Sequence, residues 1–104
     1  MKSLDNTPIA CSLTTAELRD REAKLLAQFR SAVIEIEDLQ EGYAFQFPGD
    51  GASIGLVAEL IVAERECCPF LTFELVAPNK GPLIVRMTGP DGTKEFVRSV
   101  FMQL

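Results

Sequence analysis

Apolar side chains recur at helical spacing in three stretches of the chain. The first covers residues 15–31 and starts at Thr14-Thr15-Ala16-Glu17, a sequence typical of a capping box at a helix N-terminus. The second covers residues 52–67, and Pro69 predicts its end because proline disfavours helical geometry in the preceding residue. The third is an apolar stripe from Phe96 to Leu104. The pattern therefore predicts three helices.

Four shorter segments alternate apolar and polar residues with a period of two, which predicts β-strands. They form two pairs, each joined by a segment rich in turn residues, and they cover residues 33–37, 43–47, 70–76 and 83–88. The resulting order is helix, hairpin, helix, hairpin, helix. This order predicts an α+β fold, a two-layer sandwich with the helices on one face of a mainly antiparallel sheet. The order of the strands within the sheet is left open.

Two similar turn segments suggest an internal αββ repeat with a pseudo-twofold relation between its halves. Asp50 and Asp91 lie 41 positions apart, and at the same offset Phe29 corresponds to Phe70. Few identities survive at this offset, so coincidence stays open as the alternative.

The same periodicity predicts which side chains form the hydrophobic core. The predicted core residues are the apolar members of the inward helix and strand faces: Leu18, Leu25, Phe29, Ile34, Ile36, Tyr43, Phe45, Phe47, Val57, Leu60, Ile61, Leu71, Phe73, Leu75, Leu83, Val85, Phe96, Val100 and Phe101.

Composition limits the class of protein and its partners. The 104 residues suit a single domain over residues 1–104, and a hydrophobic content of 47% excludes a disordered chain. The net charge of −5, with basic and acidic residues interleaved, argues against nucleic-acid and anionic-membrane partners. No apolar run or leader pattern indicates a membrane span or secretion, so we expect a cytosolic protein. The high hydrophobic content in a two-layer fold leads us to expect a homodimer.

The candidate chemistry lies in three cysteines. Cys67 and Cys68 are adjacent at the predicted end of the second helix, and Cys11 precedes the first helix. Their odd number argues against a secreted disulfide framework. The chain has no His and no Cys-x-x-Cys spacing, which argues against an ordinary structural zinc site.

Three interpretations of the cysteines stay open. They could pack as small hydrophobic residues of an interaction or dimerisation module, since cysteine is among the most buried residue types. They could bind a thiophilic metal ion or metalloid through Cys67 and Cys68, with Cys11 as a third ligand. They could be nucleophilic or redox thiols of a small enzyme, although a helix C-terminus disfavours thiolates and no His is available as a base. No catalytic residue is predicted.

The position of each thiol on its helix leads to two further expectations. Cys68 lies seven residues after Ile61 and continues the apolar face, whereas Cys67 lies nearer the exposed helix end. Adjacent cysteines also point in different directions, so two alone are expected to chelate one ion poorly.

Three segments of the chain resemble a group of small bacterial proteins to which no activity is assigned. The segments are Cys11-Ser12-Leu13-Thr14, the stretch from Glu64 to Leu75 that contains Cys-Cys-Pro-Phe, and Gly89-Pro90-Asp91-Gly92. Similar segments occur among proteins linked to heavy-metal response. The resemblance implies no catalytic residue or ligand set, but it favours the soft-metal interpretation.

Overall fold

The computed structural model describes residues 16–103. The elements in chain order are α1 (Ala16–Ala32), β1 (Glu35–Leu39), β2 (Gly42–Phe47), α2 (Gly51–Cys67), β3 (Thr72–Val76), β4 (Leu83–Thr88), α3 (Thr93–Val97) and a π-helical turn (Arg98–Met102). The predicted α+β fold with three helical segments and two hairpins is confirmed. Thr14 and Thr15 of the predicted capping box lie outside the described residues. No helix in the described range is long and apolar enough to cross a membrane.

The four strands form one antiparallel sheet in the order β1-β2-β4-β3. The two hairpins therefore lie side by side, with the second strand of each at the centre. This order is symmetric about the β2–β4 pairing. The predicted offset of 41 does not hold for the helices, however, because Phe29 lies inside α1 whereas Phe70 follows α2.

The core lies between the two central strands and the helices. The alternate residues of these strands that face the helices are all buried: Tyr43, Phe45, Phe47, Leu83, Val85 and Met87. Phe29 of α1 packs edge-to-face on Phe45 and Phe47, with ring centroids 5.0 Å apart in both pairs, and on Phe101 at 5.6 Å. Each such aromatic pair contributes about 0.5–1.5 kcal/mol beyond its buried area. Phe29 thus joins α1 to both the sheet and the C-terminal turn.

Four residues predicted for the core are instead exposed: Leu18, Ile34, Ile36 and Leu75. The reason for Ile36 and Leu75 is that α2 and α3 pack on the central strands β2 and β4, which leaves the edge strands β1 and β3 poorly covered. Ile34 precedes β1 at the same edge, and Leu18 lies near the start of α1. Periodicity identified the inward face of each strand correctly but could not tell an edge strand from a central one.

The first strand lies two residues further along the chain than the alternation predicts, and the turn after it is shorter. β1 covers Glu35–Leu39, so the turn is confined to Gln40 and Glu41. Gly42 already belongs to β2, where a Cβ atom would lie only 1.8 Å from the Met87 carbonyl oxygen. Glycine is required at this position because the backbone of β4 approaches so closely.

The second helix begins and ends where the sequence predicts. The Asp50 side chain accepts a hydrogen bond of 2.8 Å from the Ser53 N–H and so caps the N-terminus. The helix ends at Cys67, two residues before Pro69. The cysteine pair therefore lies at the C-terminal end of α2, where the chain turns toward β3.

Candidate metal or metalloid site

The last turn of α2 brings three chemically active side chains together. Glu64 precedes Cys67 by three residues and Cys68 by four, and residues at this spacing lie on one side of a helix. Cys68 is the residue that follows the last helical residue of α2. Its N–H still donates to the Glu64 carbonyl oxygen at 2.7 Å, as it would inside the helix, and this bond holds Cys68 close to Glu64. The helix geometry therefore places both thiols beside the Glu64 carboxyl group.

The atoms of this cluster are within hydrogen-bond distance of one another. Cys67 Sγ lies 3.3 Å from Cys68 Sγ. Glu64 Oε1 accepts from Cys67 Sγ at 3.4 Å and from Cys68 Sγ at 3.2 Å. One potential ligand atom from each residue falls within 4.8 Å of the other two. Two sulfur atoms and one carboxyl oxygen thus surround a common point.

The cluster is buried in the hydrophobic core. Glu64 and Cys68 are 0% exposed and Cys67 is 1% exposed. Glu64 Oε2 is buried with no hydrogen-bond partner among the described residues. A buried polar atom in this state is rare, because it costs about 1–3 kcal/mol. Burial of Glu64 therefore calls for a compensating role.

A second carboxyl group reaches the cluster from α1. Glu22 Oε2 accepts from Cys67 Sγ at 3.3 Å, and Glu22 is only partly buried. Glu22 also lines a hollow between α1 and α2, together with Leu18, Val62 and Glu66. Glu22 therefore stands between the buried thiols and the surface of the helix pair.

Burial is the main cause that raises the pKa of the Glu64 carboxyl group to about 8. A side-chain hydrogen bond with Glu22 and the charge of the Glu22 carboxyl group add to the rise, and the hydrogen bonds from the two thiols oppose it. At neutral pH Glu64 is therefore mostly protonated and can donate a proton as well as accept one.

The segment after the cysteines is held by the loop that follows β4. Phe70 is buried and packs edge-to-face on Phe96 with ring centroids 4.9 Å apart. A Cβ atom on Gly89 would lie 2.9 Å from the Phe70 carbonyl oxygen and 2.5 Å from Thr93 Oγ1. The close approach at Gly89 thus fixes the Cys-Cys-Pro-Phe segment against α3.

The structure corrects two expectations about the thiols. The adjacent sulfur atoms converge instead of pointing apart, because Cys68 follows the last helical residue with φ −126° and ψ 73°. Cys67 does not lie at an exposed helix end, since its side chain packs between α1 and α2 and contacts Glu22. Cys11, the predicted third ligand, lies outside the described residues.

Sequence reasoning named neither carboxyl group as a site residue. Glu64 continues the series Val57, Leu60 and Ile61 on the buried face of α2, so its position on that face was predictable. Sequence reasoning counted its charge only as a repulsion that disfavours a thiolate. No comparable signal marks Glu22, because its contact with Cys67 depends on how the two helices pack.

No family model matches the chain, and neither the curated proteins nor the solved structures contain a match to it. The donor set itself therefore limits what the site can do. Thiolate sulfur selects soft, thiophilic ions, and a carboxyl oxygen can complete a mixed coordination sphere.

Proposed function

We propose that the protein binds a thiophilic metal ion or metalloid through Cys67 and Cys68, with Glu64 as the neighbouring oxygen donor. The observation that carries the proposal is the convergence of both sulfur atoms and Glu64 Oε1 within 4.8 Å in the buried last turn of α2. Convergence of this kind supplies the chelating geometry that two adjacent cysteines were expected to lack.

The Glu64 carboxyl group supports the proposal independently. Its Oε2 atom is buried without a hydrogen-bond partner in the described range. If the thiols only packed, an apolar residue at position 64 would avoid this cost. A bound ion or ligand hydroxyl group would add to the interactions that this carboxyl group makes with the two thiols and with Glu22.

The proposal predicts that both thiols are needed for tight binding. The reduced full-length protein would be titrated with Cd²⁺ and, separately, with arsenous acid, in competition with a small dithiol. We expect Cys67→Ala and Cys68→Ala each to weaken binding about 100-fold, because each removes the intramolecular advantage of the second bond.

Val57→Ala is the matched control, since Val57 is a buried residue of the same helix with no donor atom. It should lose stability as the cysteine variants do, yet keep the affinity of the natural chain. If neither probe binds, or if the cysteine variants bind as tightly as the natural chain, the proposal is wrong.

A second candidate function is a dimerisation or interaction module in which the cysteines only pack. The observation that favours it is the exposure of large apolar side chains at both edges of the sheet: Ile34 and Ile36 at β1, and Leu75 and Val76 at β3. Pairing of such edges between two copies would cover these side chains.

This candidate predicts a homodimer that a charge at the sheet edge disrupts. We expect sedimentation equilibrium at tens of micromolar to give twice the chain mass, and Ile36→Lys or Leu75→Lys to give the monomer mass. Val62→Lys is the control, because Val62 is 63% exposed and belongs to α2, not to the sheet. A monomer mass for the natural chain would exclude this candidate.

A further inference from the structure

The separation of two bound sulfur atoms restricts the geometry of the atom that joins them. Cys67 Sγ and Cys68 Sγ are 3.3 Å apart. With bonds to sulfur of about 2.3 Å, this separation corresponds to an angle of about 90° at the bound atom. The same bonds would hold the sulfur atoms about 3.8 Å apart at a tetrahedral centre and about 4.6 Å apart at a linear one.

Trivalent arsenic and antimony are pyramidal, because a lone pair occupies one position and compresses the remaining bond angles toward a right angle. The spacing of the two sulfur atoms fits such a centre without rearrangement. A linear centre would require the sulfur atoms to separate by more than about 1 Å. Both thiols belong to the packed core, where a movement of this size displaces neighbouring side chains.

The charges around the two thiols also bear on which class of ion they can bind. A divalent cation bound by both sulfur atoms requires two thiolates, and these would lie at a helix C-terminus whose dipole disfavours negative charge. The carboxyl groups of Glu64 and Glu22 lie against the same thiols. A two-coordinate divalent ion with two thiolates carries no net charge, so the cost of burying charge falls on an ion such as Zn²⁺, which needs further anionic donors in the same buried position.

A trivalent metalloid hydroxide needs no further anionic donor, because it is neutral and reacts with neutral thiols. In the reaction of arsenous acid with two thiols, two As–O bonds break, two As–S bonds form, and each thiol proton leaves in a water molecule. No electrons are transferred, and the dithiol adduct carries no net charge. Its burial therefore resembles the burial of an ordinary neutral group.

From these observations we infer that the Cys67–Cys68 pair chelates a trivalent metalloid of the arsenic and antimony type in preference to a divalent or linear thiophilic cation. The inference rests on the proposed function and names the class of ligand. Glu64 Oε1, at 3.4 Å and 3.2 Å from the two sulfur atoms, is placed to form a hydrogen bond with the hydroxyl group that remains on the bound atom.

The test compares four probes on the reduced full-length protein: arsenous acid, methylarsonous acid, Zn²⁺ and Hg²⁺. Methylarsonous acid has only two exchangeable hydroxyl groups, so a dithiol is sufficient to bind it. Each affinity is divided by the affinity of the same probe for a flexible small dithiol, whose sulfur atoms adopt any separation. We expect this affinity ratio to be at least about 10-fold higher for both arsenic probes than for Zn²⁺ and Hg²⁺. A ratio of about 10-fold corresponds to about 1.4 kcal/mol of binding free energy.

X-ray absorption at the arsenic edge of the methylarsonous adduct should show two sulfur neighbours for each arsenic atom. This measurement needs no variant, so a failure of the cysteine variants to fold does not affect it. Cys11→Ser should leave the affinity for methylarsonous acid unchanged, because the adjacent pair supplies both bonds.

The outcomes distinguish the preference for a trivalent metalloid from the broader proposal that the protein binds a thiophilic metal ion or metalloid. Normalised binding of Zn²⁺ or Hg²⁺ that equals or exceeds that of the arsenic probes overturns the inference and leaves the soft-metal function standing. Loss of methylarsonous acid binding in Cys11→Ser, or one sulfur neighbour for each arsenic atom, also overturns it. No binding of any probe overturns both.

Discussion

Glu64 is the residue whose placement most needs a physical account. It occupies a core position of α2, yet only one of its carboxyl oxygen atoms has a hydrogen-bond partner among the described residues. Since its pKa is raised to about 8, the neutral acid is the form that the folded protein favours. The residue therefore links the stability of the fold to pH.

The raised pKa predicts that Glu64 destabilises the fold as the pH rises. In the unfolded chain the carboxyl group ionises near pH 4.5, whereas in the folded protein it ionises near pH 8. Its favourable contribution is complete below about pH 4.5 and is lost as the pH rises toward 8. Urea unfolding at several pH values should show this loss, on the order of a few kcal/mol.

Glu64→Gln is the matched variant, because the amide has the same shape and does not titrate. The free energy of unfolding of the natural chain, minus that of the variant, should decrease steadily between pH 5 and pH 8. A difference that is constant across this range would show that Glu64 is ionised in the folded protein.

At the residue scale, sequence alone predicts part of the candidate site. The position of Cys67 and Cys68 at the helix end follows from Pro69, and that end is confirmed. Their convergence does not follow, because it depends on the backbone angles of Cys68. The contact with Glu22 depends on the packing of α1 on α2, which periodicity does not determine.

The loop between β4 and α3 is the element that supports the site from outside. Gly89 approaches the Phe70 backbone so closely that Gly89→Ala would force the Cys-Cys-Pro-Phe segment away from α3. Overpacking of this kind costs about 1–3 kcal/mol. We expect a lower urea midpoint for Gly89→Ala, together with faster reaction of the thiols with a disulfide reagent.

Gly55→Ala provides the comparison, since a Cβ atom at Gly55 meets no other atom within 4 Å. Alanine has the higher helix propensity, so this variant should be slightly more stable than the natural chain. Equal stability of the two variants would show that the close approach at Gly89 is not maintained in solution.

The elements themselves are largely predictable from the chain. The end of α1 and both ends of α2 lie within one residue of the predicted ranges, and at α2 the reason is the turn residues before Gly51 and Pro69 after Cys67. The C-terminal segment is less regular: its apolar stripe forms α3 and then a π-helical turn, whose Val100 carbonyl oxygen accepts from Arg30 Nη1 at 2.8 Å. A contact with a side chain 70 positions away is not visible in a local pattern.

At the scale of the whole molecule, the order of the strands is the feature that the sequence leaves open. Each hairpin is predictable because its strands are neighbours in the chain. The pairing of β2 with β4 spans the whole of α2 and depends on the docking of the two halves. The exposure of Ile36 and Leu75 follows from this arrangement, since it makes β1 and β3 the edges of the sheet.

The bond from Cys67 to Glu22 also has a consequence for the motions of the protein. Because it joins side chains 45 positions apart, the complete cluster exists only while α1 is docked on α2. A ligand bonded to Cys67 Sγ takes the place of the thiol proton, so its binding removes the hydrogen bond from Cys67 to Glu22 and with it one contact that holds α1 on α2. Binding of a ligand at the end of α2 would then change the amide hydrogen-exchange rates of α1, although α1 supplies no ligand atom.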